Sequence, residues 1–148
     1  MLPFVELAPP LREAMRRAFV AAAPREFVGL LGGVREVHRV RLATCTLLPN
    51  VAAGEHAFVV PAAAFATAEA ELRARGEAWL GFVHSHPFAA ARPSQADRRQ
   101  LWRDCVQLIG GGAPDAPHWR AWWLSGAEPT AHELTIAGLA PACVEAVR

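Results

Sequence analysis

Prolines and glycines cut this chain into short pieces, and that punctuation limits what it can build. Twelve prolines and eleven glycines are spread through 148 residues. No apolar stretch between them approaches the ~20 residues of a membrane span. Pro9-Pro10 opens a helical pattern in which Leu11, Met15, Ala18, Phe19 and Ala22 form one stripe and Arg12, Arg16 and Arg17 lie off it. Pro24 ends it. Phe27 to Leu31 reads as a buried strand closed by a turn at Gly32-Gly33. Val34 to Leu48 then alternates, with His38, Val40, Leu42 and Thr44 on one face and Arg39 and Arg41 on the other. That is a half-buried strand expected to pair with its predecessor as a hairpin.

Pro49 to Glu55 reads as loop and Phe58-Val59-Val60 as a brief strand. Pro61 to Arg75 carries Phe65, Ala68 and Leu72 at helical spacing and stops at Gly76, which predicts a second helix. Ala78 to His86 is a buried strand ended by Pro87. Ser94 to Arg103 is a predicted helix and Cys105 to Ile109 an apolar strand. Gly110 to Pro117 reads as a flexible loop, since Gly110-Gly111-Gly112 lacks both the spacing and the following helix of a nucleotide fingerprint. His118 to Leu124 is a strand with Trp119, Ala121 and Trp123 on one face and Trp122 and Leu124 on the other, an aromatic pattern expected in a core. His132 to Ile136 is a further strand and Pro141 to Val147 a short terminal helix. Helices interrupt strands throughout, so the expected architecture is α+β, or α/β, with one central mixed sheet flanked by helices in a single domain over residues 1–148.

Composition removes several kinds of function. Fifteen basic residues against fourteen acidic leave a formal charge of +1, which argues against a nucleic-acid surface. All fifteen are arginine, and there is no lysine and no tyrosine. Schiff-base chemistry, a lysine-bearing phosphate loop and a tyrosine nucleophile are therefore excluded. Cys45, Cys105 and Cys143 are far apart with no C-x-x-C pair, so they read as small buried hydrophobes in a reducing compartment. The N-terminal segment holds Glu6, Glu13 and several prolines before a short apolar run, which does not fit a signal peptide. A cytoplasmic protein that uses neither membrane nor nucleic acid is expected.

Chemistry concentrates in one stretch, Gly81-Phe82-Val83-His84-Ser85-His86-Pro87 through Ser94-Gln95-Ala96-Asp97. His84 and His86 are two apart in a strand, so both imidazoles point to one face. Two neutral imidazoles facing one point make half of a tetrahedral zinc site. Asp97, in the first turn of the helix beginning at Ser94, is the candidate third ligand. Two histidines and one carboxylate leave a fourth position open, the catalytic pattern. Ser94 to Asp97 also fits a helix capping box, and the two readings are compatible. Arg92 is a candidate contact for a substrate carboxylate or main chain. His38, His56, His118 and His132 have no partner at ligand spacing.

The block His84-Ser85-His86-Pro87, followed by Ser94-x-x-Asp97, resembles the signature of the JAMM (MPN-type, MPN+) zinc metallopeptidases, in their stand-alone prokaryotic form. An upstream block, Glu26-Phe27-Val28-Gly29-Leu30-Leu31-Gly32-Gly33, resembles the E-x-x-G-L-L-x-G strand of the same family. Phe27 and Val28 stand where many relatives carry a cysteine, a difference expected to affect packing more than chemistry. The resemblance implies a cytidine-deaminase-like α/β/α layering. It implies one zinc ion per chain held by His84, His86 and Asp97, with Glu26 as general acid/base and Ser94 as oxyanion donor. It further implies a substrate that is a ubiquitin-like or sulfur-carrier protein, cut at a peptide or isopeptide bond of its C-terminal tail. Release of a single amino acid such as cysteine from a carrier, or a non-catalytic scaffold, are the alternatives. The oligomeric state, monomer or homodimer, is not legible. Other metal hydrolases fit poorly: the P-C-x-x-C of nucleobase deaminases and the helical H-E-x-x-H are absent, and 148 residues are too few for an amidohydrolase (β/α)₈ barrel of ~250.

Overall fold

The computed structural model describes residues 2–127 and 130–137. In chain order the elements are β1 (Phe4–Leu7), α1 (Pro9–Ala22), β2 (Val28–Arg35), β3 (Arg39–Leu48), α2 (Ala62–Ala74), β4 (Ala78–Pro87), α3 (Gln95–Gln100), β5 (Val106–Gly112), β6 (His118–Ser125), β7 (Thr130–Leu134) and β8 (Ile136–Ala137). The strands form one mixed sheet in the order β7-β6-β5-β4-β2-β3-β1-β8. Strands β2 and β3 pair as the expected antiparallel hairpin, β2 pairs antiparallel with β4, and β4 pairs parallel with β5.

The helices cover opposite faces. The α1 stripe of Leu11, Met15, Ala18 and Phe19 packs on Val5, Leu31, Val83, Val106 and Trp119. On the other face Ala68 and Leu72 of α2 pack on Val28, Leu30, Leu48 and Phe82. Alternation along β2 feeds both cores, Val28 and Leu30 to one and Phe27 and Leu31 to the other. Of the β6 tryptophans, Trp119 and Trp123 lie buried in the core on the α1 face, while Trp122 is half-buried. The α+β architecture with a mixed central sheet is therefore as expected.

Five local readings change. Gly32-Gly33 is no turn: β2 runs through it to Arg35, and a bulge at this pair lets the β3 backbone approach so closely that a Cβ on Gly33 would lie 1.9 Å from the Arg41 carbonyl oxygen. Gly110 to Gly112 belong to β5, and the Trp119 ring and the backbone of residues 89–91 occupy the space that side chains on Gly110 and Gly111 would fill. Phe58 to Val60 form no strand, and their backbone follows Asn50 and Val51. Helix α3 is shorter than expected, ending at Gln100. The stretch from His132 to Ile136 is divided between β7, paired with β6, and β8, paired with β1. Strand β1 itself has no sequence signal, since four residues show no usable period; parallel pairing with β3 makes it a strand. The expected helix at Pro141 to Val147, and Cys143, lie outside the described residues. Among those described, no helix is long and apolar enough to cross a membrane.

Candidate metal centre

Strand β4 runs from the core to the sheet's end, and there it delivers its two histidines. Alternation puts His84 and His86 on the face of Phe82, the α2 face, and Pro87 ends the strand. The connection to β5 then carries α3 back over them. Ser94 caps that helix in both directions. Its Oγ accepts from the Asp97 N–H at 3.0 Å, and Asp97 Oδ2 accepts from the Ser94 N–H at 3.0 Å. The cap fixes the Asp97 carboxylate, and the same Oδ2 lies 3.2 Å from His84 Nε2 and 3.1 Å from His86 Nε2. The two Nε2 atoms are 3.1 Å apart. Capping and ligand geometry thus use one oxygen.

Glu26 arrives from the opposite direction, just before β2. It is buried, 5% exposed, and its carboxylate and the two imidazoles each offer a ligand atom within 4.8 Å of the others. Two residues not singled out from sequence hold this segment. Ser85, fully buried between the histidines, accepts the Phe27 N–H on its Oγ at 2.8 Å and donates its own N–H to the Phe27 carbonyl at 3.1 Å. Asn50 donates to the Glu26 carbonyl at 2.9 Å and to that of Ala57, and accepts from the Ala52 and Val59 N–H groups. The signal for Ser85 was its place inside the motif. Asn50 had none beyond being an Asn in a loop.

The glycine run also serves the site. A Cβ on Gly111 would meet the Ala89 oxygen at 2.5 Å and the Ala91 nitrogen at 2.6 Å. Its absence lets the loop after β4 lie flat on β5. Trp122 Nε1 holds that loop through the Ala91 carbonyl at 2.9 Å. The loop presents the Ala90 carbonyl 3.0 Å from His86 Nδ1. Arg92, farther along, is exposed.

The donor set asks for a positive charge. His86 gives its Nδ1–H to Ala90, so a neutral His86 would turn the bare lone pair of Nε2 towards the Asp97 carboxylate. A proton or a metal ion must lie between them. The three donor atoms, 3.1–3.2 Å apart, form a triangle close to one face of a zinc tetrahedron, whose donors at ~2.0 Å stand roughly 3.3 Å apart. Nitrogen, nitrogen and carboxylate oxygen are also zinc's donors. The residues fit the ion.

The electrostatics separate the groups. Burial, reinforced by Asp97 and opposed by His86, pushes the Glu26 carboxyl up to about 7. Burial lowers His84, whose Nδ1 has no partner among the described residues. For His86 burial acts downward, but contacts with Asp97 and Ala90 outweigh it and raise it. Burial likewise works against the Asp97 carboxylate, yet both histidines hold it well below the usual range. A cluster with one carboxyl kept ionised and another poised near neutrality has the acid/base spread of a catalytic site. The thiols of Cys45 and Cys105 are pushed up to about 12 by burial, which excludes them as nucleophiles at neutral pH.

The chain is similar to several known proteins. A probable TtuB-protein conjugate cleaving protease of Thermus thermophilus is 37% identical over 102 residues, covering 68% of this chain and 66% of that relative, just under two thirds of its length. A protein from Desulfitobacterium hafniense, solved in solution, superposes with a TM-score of 0.79 at 27% identity, covering 90% of this chain and 92% of that one. A JAB1/MPN domain protein from Archaeoglobus fulgidus shares the fold, with a TM-score of 0.53 at 22% identity over 90% and 97% of the two chains. The family model for prokaryotic homologs of the JAB domain matches residues 8–125, from the foot of α1 through Glu26, both histidines and Asp97 to the end of β6, and the chain therefore belongs to the prokaryotic JAB branch of the JAMM (MPN-type) family.

Proposed function

We propose that this protein is a zinc metallopeptidase that cuts a peptide or isopeptide bond at the C-terminal tail of a ubiquitin-like or sulfur-carrier protein. The observation carrying the reading is the convergence of His84 Nε2, His86 Nε2 and Asp97 Oδ2 within 3.1–3.2 Å of one another, with buried Glu26 beside them. His84, His86 and Asp97 would hold one zinc ion. When bound, zinc acts as a Lewis acid that polarises a carbonyl and eases deprotonation of water. Glu26, buried beside the two histidines, takes the proton of the attacking water and returns it to the leaving amine. Ser94 engages its hydroxyl oxygen as acceptor for Asp97, which leaves its O–H to donate to the developing oxyanion. Asn50 holds the Glu26 carbonyl and Ser85 holds the backbone of Phe27 next to it, so the carboxylate is positioned before substrate arrives.

The substrate class is supported by the Thermus relative, a probable TtuB-protein conjugate cleaving protease. The complete set of charged groups at the centre favours catalysis over a scaffold role. The test uses purified, zinc-loaded protein and candidate carriers bearing C-terminal extensions or conjugated amines, read by intact mass. A carrier shortened to its tail is expected, and Glu26→Gln should retain zinc without shortening it. Unchanged masses for every carrier, with zinc bound, would overturn the substrate class.

A further inference from the structure

We propose that the aromatic cavity beside the metal centre is a specificity pocket for one large, uncharged apolar side chain of the substrate, carried by a residue near the bond that is cut. The inference rests on the hydrolase reading above and names a feature of its substrate. The cavity, of about 590 Å³, is within the roughly 300–1,000 Å³ usual for small-ligand sites. Two of its walls belong to the centre itself. Asp97 lines it while touching both histidines. Phe58 lines it while its ring packs 4.8 Å from the His84 ring. A group in this cavity is therefore next to whatever reacts at the histidines, and the occupant is part of the substrate.

The walls define its chemistry. Phe58, Phe65, Phe82 and Trp102 form the aromatic lining, and the ionisable lining groups are exposed His56 and Asp97. The Asp97 Oδ2 is already engaged by Ser94 and the histidines and His56 is exposed, so most of the wall is aromatic and aliphatic and favours an uncharged occupant. Trp102 is the clearest sign of docking. Its ring is wedged 5.0 Å from Phe65, 5.2 Å from Trp79 and 5.8 Å from Phe82. Its carbonyl is held at 3.1 Å by Nε2 of fully buried Gln107. Yet the residue is 51% exposed. A rigid aromatic left half open beside a reactive centre is the kind of surface on which binding energy concentrates.

The experiment uses the full-length metal-free protein and octapeptides of Ser and Gly that carry one Phe, Leu, Ser or Asp at each position in turn. Binding is followed in NMR titrations by the backbone amide signals, which every variant retains, and in the wild type also by the Trp102 indole N–H. One position is expected at which Phe and Leu bind at least ~10-fold tighter than Ser or Asp. Ala62→Trp, which fills the cavity, and Trp102→Ala, which removes an exposed ring, should each erase that preference with the fold retained. Should Ala62→Trp fail to fold, Trp102→Ala decides alone. Equal binding of all four residues at every position, or a preference that survives Trp102→Ala, would overturn the pocket. Selective binding without cleavage by the zinc-loaded protein would sink the hydrolase reading and leave the pocket standing; cleavage with no apolar preference would do the reverse.

Discussion

On the α1 face of the sheet, Leu11, Met15 and Phe19 are 2% exposed or less and sit in a core that reaches from β1 across to β7. On the α2 face the apolar cluster spans only β2, β3 and β4, and beyond Phe82 it gives way to Glu26, His84 and Asp97, all buried. The first face is continuous hydrocarbon and aromatic packing. The second buries two carboxyls and two imidazoles, each of which loses hydration that its partners only partly replace. Cohesion is concentrated where no chemistry happens, and this lets the other face keep unfavourable polar groups close together. The Nδ1 of His84, without a partner among the described residues, and the raised Glu26 carboxyl mark where stability is given up.

If the two faces are separable in this way, perturbing one should spare the other. Stripping zinc with a chelator is expected to abolish cleavage completely while near-UV circular dichroism stays native; unfolding on chelation would show the centre to be structural and break the contrast. Glu26→Gln should lower kcat by about 10²–10⁴-fold with zinc still at one ion per chain. In the opposite direction, Phe19→Ala should destabilise the fold by ~3–5 kcal/mol, measured by denaturant unfolding. Its kcat should be close to wild type at temperatures where it stays folded. Gly111→Ala tests the support beneath His86, whose Ala90 contact depends on a flat loop. We expect metal affinity to fall by about 10–100-fold, read by competition with a chromogenic chelator, with a smaller change in Tm than Phe19→Ala causes.

The smallest effect concerns pH. A carboxyl raised to about 7 by burial binds more protons folded than unfolded between its ordinary pKa of 4.5 and 7. Stability of the metal-free protein contributed by Glu26 therefore falls as pH rises through that window. The Tm of metal-free Glu26→Gln should exceed wild type above pH 7, and the gap should close towards pH 5. A constant gap across that range would show that Glu26 is not held near neutrality.

Much of the fold and the site was legible because the signals are local. The α1 stripe, the β2–β3 hairpin, the α2 stop at Gly76 and the His84/His86 pair each depend on spacing within a few residues. The cap at Ser94–Asp97 was legible as a cap, and its place in the first turn of the helix after the histidine strand, together with the family resemblance, marked the same carboxylate as the candidate third ligand. Illegible were features whose cause lies across the sheet. Strand β1 exists through its pairing with β3 and β8. Gly32-Gly33 and Gly110-Gly111-Gly112 look like breaks in any linear reading, because glycine's usual meaning is a turn. Here Gly33 and Gly111 mark places where another backbone, and Gly110 a place where an indole ring, comes too close for a Cβ.

By itself, then, the sequence determined which residue types could do chemistry, that lysine and tyrosine could not, and most of the order in which helices and strands would follow. Those are properties of side-chain identity and short-range period. Only the tertiary structure decided that Ser85 and Asn50 hold Glu26 in place, that Gly111 and Trp122 set the loop that orients His86, and that an aromatic cavity opens beside Asp97. Each of these joins residues far apart in the chain, and such contacts come into being only when the sheet assembles.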